Sequence, residues 1–258
     1  MKGSFAGVVD GPSFFKQFCN VTGLAGPADA ADDSEPASGA ADAAGVLVPG
    51  YPTPVVITND SIVSGYYLDG TGYDDVAVIS LFAFESQSFV EFQQVEQQFF
   101  ADAVRDGKTK LVIDLSANGG GYILQGLDLF RQLFPDIVQD GYNRWRESDT
   151  FLAIAEIYSA NSAGFDPSTA SNEAISQYEN SWNYRYDLNL TNQPFLTFAD
   201  KFAPHVYKGD NYTNLMRWNL TDPLTTSNST FGVGTDITGY NSRANFTQPF
   251  KAENIILV

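Results

Sequence analysis

The chain has 258 residues, enough for one large domain or two small ones, and 43% of them are apolar, enough for a real core. Its 31 Asp and Glu against 14 Lys and Arg give a formal charge of −17, which argues against a nucleic-acid partner and against electrostatic binding to anionic membranes. No apolar run reaches the length of a membrane span, and 20 Phe with 13 Tyr suit a sheet-rich or mixed fold better than a helical bundle.

Residues 1–24 read as the end of an upstream region, with no apolar signal-peptide core. The lone Cys19 fits either a buried thiol or half of a disulfide whose partner lies upstream. Residues 25–46 are small, acidic and punctuated by proline, as in a flexible loop or linker. Order returns at Leu47, where 47–70 read as short strands broken by Pro and Gly. Residues 74–84, "DDVAVISLFAF", are apolar almost throughout, the mark of a strand covered on both faces.

A helix follows. Ser88 and Glu91 form a capping box, Phe89, Phe92, Val95, Phe99 and Ala103 make a helical stripe, and Gly107 supplies the stop. The strand "KLVIDLS" (110–116) comes next, then three glycines. A second helix has Ile123, Leu127, Phe130 and Phe134 on one side and ends before Pro135. Strand, helix, strand, helix implies parallel strands joined by a right-handed crossover. Residues 136–250 are less regular, with helices expected near 150–160 and 170–182 among long loops. "NIILV" (254–258) reads as the next parallel strand, which makes the stretch from about 148 to 245 a large insertion of the kind that faces substrate. An apolar run that stops at Val258 reads as part of a longer domain.

Seven Asn-x-Ser/Thr sequons, at Asn20, Asn59, Asn189, Asn211, Asn219, Asn228 and Asn245, point to a secreted glycoprotein.

The glycines of "SANGGGYI" (116–123) end a strand and open a helix, where they aim backbone N–H groups at whatever lies in front. Nucleotide motifs fail letter by letter. From Gly119 the dinucleotide fingerprint reaches Leu124 in its third glycine place. The phosphate-loop pattern finds Gly121 and Gly126 but then Leu127 and Asp128. An oxyanion hole needs only backbone donors at a helix start, and Asp114 is placed to brace such a loop by accepting amide protons. A tight turn without function explains the same residues equally well.

The segment "KLVIDLSANGGGYILQGLDLFRQLFP" (110–135) resembles the motif region of the tail-specific, or C-terminal processing, protease family of serine peptidases. It is more closely similar to the secreted fungal branch related to chlamydial protease-like activity factor. "VPGYPTPVV", "VSGYYLDGTGYDDVAVIS", the helix 89–103 and "QPFKAENIILV" extend the likeness over about 47–145 and 245–258. The resemblance implies an α/β fold with a ββα-superhelix core of the crotonase and Clp-protease type. It implies hydrolysis of polypeptide substrates by an activated serine, with no metal or cofactor. It also maps Gly119 and Gly120 onto the oxyanion donors, supported by Asp114, Asn118 and Gly121. The family's nucleophilic serine follows the strand corresponding to "NIILV". Its base is a lysine beyond that serine or, in the branch resembled, a histidine upstream of the glycine segment. This sequence has a residue at neither position, so 47–258 is expected to be an incomplete peptidase domain.

Other candidates are weaker. His205, the one histidine, matches no base position of the family. Ser80 and Ser116 lie in no nucleophile elbow. Asp74 with Asp75 and Glu85 with Glu91 are explained by strand ends and helix caps as readily as by a glycosidase pair. Arg144 and Arg146 read as structural ion pairs, and no Cys/His cluster suggests a metal. The alternative to a peptidase is a secreted binding protein that keeps the fold, with glycoside hydrolysis a third class.

Overall fold

A computed structural model describes residues 50–258; the expectations for residues 1–24, the 25–46 linker, Cys19 and Asn20 lie outside the described residues. In chain order the elements are β1 (Val56–Ile57), β2 (Val63–Tyr67), β3 (Val76–Leu81), α1 (Phe89–Arg105), β4 (Lys110–Asp114) and α2 (Ile123–Leu133). Then come α3 (Asp149–Asn161), α4 (Asn172–Tyr178), α5 (Phe198–Phe202), β5 (His205–Tyr207), β6 (Asp210–Tyr212) and β7 (Ile255–Leu257). The fold is mixed α/β.

The main sheet runs in the order β1-β2-β3-β4-β7. Its first three strands are antiparallel; β3, β4 and β7 are parallel, as the strand–helix–strand reading requires. Val63, Ala77, Ile79, Leu81, Leu111 and Ile113 from the sheet pack with Phe92, Phe99, Phe100 and Ala103 of α1, and Leu129, Leu133 and Phe250 close the core. The run "NIILV" forms β7, which pairs with β4 at the end of the sheet among the described residues, with Ile256 and Leu257 exposed.

α1 forms where its 3.6-residue stripe predicts. Ser88 Oγ accepts the Glu91 N–H at 3.1 Å, but only half of the expected capping box exists, because the Glu91 carboxylate turns outward to accept the Asn59 N–H at 2.8 Å. Gly107, at φ +79°, ends the helix with its N–H on Val104 O. The expected face of α2 is corrected. Ile123 is exposed, Leu127, Phe130 and Phe134 are only half-buried, and the buried side carries Leu124, Leu129 and Leu133 together with Gln125, Asp128, Arg131 and Gln132.

Most of that polar face is met by α1 and by the segment 235–239, although Gln132 Oε1 and Glu96 Oε1 are buried without a partner. Gln93 Nε2 donates to Asp128 Oδ1 at 2.8 Å and to Asp236 O at 3.0 Å, and the Thr238 N–H donates to the same Asp128 oxygen at 2.7 Å. Gln132 Nε2 bridges Asp128 Oδ2 and Glu96 Oε2, each at 2.8 Å. Arg131, on the next position of α2, gives its guanidinium to Thr238 O at 3.3 Å and to Ile137 O, and Arg243 binds Gln97 rather than either carboxyl. Burial first, and then the charge of Asp128, push the Glu96 carboxyl well above its ordinary range. Burial also raises Asp128, against the hydrogen bonds that it accepts.

Both raised values have one sign. A carboxyl with a raised folded-state pKa contributes stability fully present below its unfolded pKa, about 4, and lost as pH rises through the folded value. Glu96→Gln is therefore expected to leave stability near pH 4 almost unchanged and to increase it near pH 8, read from urea midpoints at both pH values. A variant less stable than the parent near pH 8 would refute this account.

Candidate active site

Ser80 on β3 is in register with Asp114 on β4, so the two chains leave the sheet at the same end. From β3 the chain runs through Phe84 and Ser86 into α1; from β4 it runs through the three glycines into α2. The two connections are stitched together. Phe84 N–H donates to Gly120 O at 2.8 Å, Tyr122 N–H donates to Phe84 O at 2.5 Å, and Asn118 Nδ2 donates to Leu81 O at 3.0 Å. A β-carbon on Gly121, where φ is +140°, would overlap the Phe84 carbonyl and Glu85 Cγ, so only glycine permits this approach.

Asp114 accepts hydrogen bonds from the loop and from Tyr51. Its Oδ1 accepts the N–H of Ser116 at 2.9 Å and the Ser116 hydroxyl, and its Oδ2 accepts the Tyr51 hydroxyl at 2.6 Å. Burial works to raise the Asp114 carboxyl, but the bonds from Ser116 and Tyr51 outweigh it and hold the group below its ordinary range. Tyr51, 63 positions away in sequence, gave no signal beyond its place in the strand-like run 47–56.

The N–H groups of the turn differ. Gly120 donates to its neighbour Asn118 Oδ1 at 2.7 Å, so in this conformation its N–H is occupied. The N–H groups of Gly119 and Gly121 bond to no other described residue, and both glycines are exposed. Of the two donors expected, Gly119 is the one on offer.

Beside the turn lies a cleft of about 540 Å³. One wall is Glu85, Ser86, Phe89, Tyr122, Leu124 and Gln125, from the starts of α1 and α2. The other is Glu179, Tyr186, Trp218, Thr225, Phe231 and Val233, from the irregular region. Phe89, Leu124, Leu220 and Ile237 form a small apolar cluster that joins these two walls. The residues of the second wall were not legible as site residues, because nothing in their local sequence ties them to the glycines.

The remaining candidates are dispersed. His205 is exposed on β5 and forms no side-chain hydrogen bond among the described residues. Ser116 gives its hydroxyl to Asp114, and Ser80 is buried within β3. Asp75 is engaged by Thr109 at 2.8 Å and by Lys110, which hold its carboxyl below the ordinary range. Arg146 pairs with Asp210 at 2.9 Å as expected. Arg144 instead stacks on the Tyr207 ring, 3.6 Å from its centroid. Among the sequons, Asn59, Asn211 and Asn245 are exposed and Asn189, Asn219 and Asn228 are half-buried. Those last three use Oδ1 to cap their own turns. No group of three or more His, Cys, Asp or Glu able to hold a metal occurs among the described residues, and no described helix is long and apolar enough to cross a membrane.

No family model matches the chain. It is similar to the Peptidase S41 family protein ustP of Aspergillus flavus, 33% identical over 220 residues that cover 81% of this chain and 42% of that relative. It is also similar to the Peptidase S41 family proteins phomP1' and phomP1 of Diaporthe leptostromiformis. These are 32% and 31% identical over 175 residues, 64% of this chain and 24% of each relative. The chain thus spans less than half the length of the curated relatives it matches. Among solved structures it is similar to mature CPAF complexed with lactacystin. At 19% identity and a TM-score of 0.27, over 47% of this chain and 24% of that one, the likeness is too distant to carry an argument.

Proposed function

The chain belongs to the peptidase S41 family, and from that premise we propose that it contributes to a serine-type peptidase domain that hydrolyses polypeptides. The ββα-superhelix architecture, with residues of about 148–245 as an insertion over the site, is part of the same reading. The observation that carries it is the unpartnered N–H of the exposed Gly119, in the turn that leads into α2 and is clamped to the β3 connection, with a cleft alongside. A backbone N–H held in that way stabilises a developing oxyanion without reorganisation. Asp114, Asn118 and Gly121 hold the turn in shape. Asn118 also accepts the Gly120 N–H.

Nucleophile and base carry no assignment in this chain. No serine hydroxyl is hydrogen-bonded to His205 or to a lysine among the described residues. The rival reading is a peptidase fold used only for binding.

Two substitutions at one position test the oxyanion role in the gene product that carries this chain. A β-carbon at residue 119 meets open space, so Gly119→Ala keeps the N–H and is expected to retain activity. Gly119→Pro removes the N–H and is expected to lower kcat about 10²–10³-fold with substrate binding little changed. Equal activity of the two variants would remove Gly119 from the mechanism. Fluorophosphonate labelling of the parent decides between the readings: a labelled serine with peptide turnover supports hydrolysis, and no labelling supports the binding protein.

A further inference from the structure

All three tryptophans of the chain line one cavity of about 380 Å³. Trp145, Phe151, Trp182, Tyr186 and Trp218 form an aromatic box, and the single charged side chain in its lining is Glu179. The rings meet edge to face: Phe151 and Trp182 have centroids 6.4 Å apart, Tyr186 and Trp218 6.3 Å. Glu179, Tyr186 and Trp218 also line the cleft beside the glycine turn, so the box opens off that cleft. Neither lining contains a lysine, arginine or histidine.

Two buried polar atoms in this wall lack partners. Glu179 Oε1 accepts no hydrogen bond and Trp218 Nε1 donates none. An unpaired buried carboxylate oxygen is costly unless something arrives to satisfy it. Glu179 shows that cost directly, because burial, and then the charge of Asp222, push its carboxyl up to about 7. The nearby Arg185 does not relieve it, since its guanidinium stacks on Tyr184 and donates to Ser159 O at 2.7 Å. Aromatic faces present negative potential, and a carboxylate among them completes a site for a cation with an apolar stem. The overall charge of −17 steers such a group inward.

We propose that this box binds a cationic side chain, arginine or lysine, of a polypeptide that lies along the cleft. The substrate class rests on the peptidase reading; the cation site does not. Arginine fits best, because its planar guanidinium stacks on indole and also reaches the free Glu179 oxygen. Binding would return the Glu179 carboxyl toward its ordinary range.

The test separates the two claims. The 258-residue chain is titrated with Nα-acetyl-arginine methylamide and with its neutral isostere, the citrulline analogue, while tryptophan fluorescence is followed. Saturable change with the arginine analogue, at least about tenfold tighter than with citrulline and lost about tenfold in Glu179→Gln, is expected. A thermal melt shows that the variant is folded; it removes an unpaired charge and should melt no lower than the parent. Equal binding of both analogues, or indifference to Glu179→Gln, overturns the proposal. Selective binding without any peptide hydrolysis by the gene product sinks the peptidase reading and leaves the cation site standing. Hydrolysis without selective binding does the reverse.

Discussion

Gly121→Ala is expected to destabilise the chain by about 2–5 kcal/mol and to abolish any activity that depends on the glycine turn. The obstacle is backbone, not a side chain that can swing away. A β-carbon would sit inside the Phe84 carbonyl group, at a φ of +140° that L-residues rarely adopt. Relief requires the β3 and β4 connections to separate. Separation breaks the bonds from Phe84 N–H to Gly120 O and from Tyr122 N–H to Phe84 O. The neighbouring glycines provide the control. Gly120→Ala has open space but a φ of +93°, so it should cost about 1–2 kcal/mol. Gly119→Ala has open space and no positive φ, and should cost less than about 0.5 kcal/mol. Urea denaturation of the three variants reads this gradient, and a Gly121→Ala chain as stable as the parent would show that the turn is not clamped as described.

Lys201→Ala is expected to be comparably damaging, about 3–5 kcal/mol, at a position far from the glycines in sequence. The Lys201 side chain is 0% exposed and that of Asp187 5%. Lys201 Nζ donates to Asp187 Oδ2 at 2.6 Å and to Asn183 O at 3.0 Å, tying α5 to the run of turns that follows α4. Burial lowers the lysine and raises the aspartate, and their mutual attraction opposes both shifts. Truncating the lysine removes that attraction and leaves a buried carboxylate, whose folded-state value then rises further. The loss should therefore be largest at neutral pH and shrink as pH falls and Asp187 takes up a proton. Replacing both partners, as Lys201→Met with Asp187→Leu, should cost far less than Lys201→Ala, because no buried charge is stranded. If the double replacement proves as damaging as the single one, the ion pair is not what the alanine variant loses.

The elements that the sequence placed well are those with a strong local signal. α1 follows from a stripe of Phe and Ala at helical spacing with Ser88 before it and Gly107 after it. β3 and β4 follow from β-branched runs, and their parallel pairing from the helix between them. The turn with Asp114, Asn118 and Gly119–Gly121 was legible because three glycines follow a strand-like run and precede a helical one, although the glycines alone fit a tight turn without function equally well.

α2 shows where local pattern fails. Its apolar positions Ile123, Leu127, Phe130 and Phe134 suggested one face, whereas the protein buries Gln125, Asp128, Arg131 and Gln132. A polar residue can be buried only if partners are brought to it, and these come from α1 and from residues 235–239, more than a hundred positions downstream. Hydrophobic periodicity carries no information about such partners. The same reason hid Tyr51 behind Asp114 and the aromatic wall of Glu179, Tyr186 and Trp218 beside the cleft. It also hid the state of the glycine amides. Composition marks all three as possible donors, but the Asn118 side chain decides that Gly120 is occupied and Gly119 is free.

The sequence by itself therefore determined the strand–helix–strand frame, the braced glycine turn at its end and the family to which they belong. The frame and the turn rest on residues close together in the chain, and the family on motifs that are each local in sequence. Tertiary structure alone decided which amide is exposed, which carboxyls are buried without a cation, and what lines the cleft. Those properties depend on groups that meet only when distant segments pack.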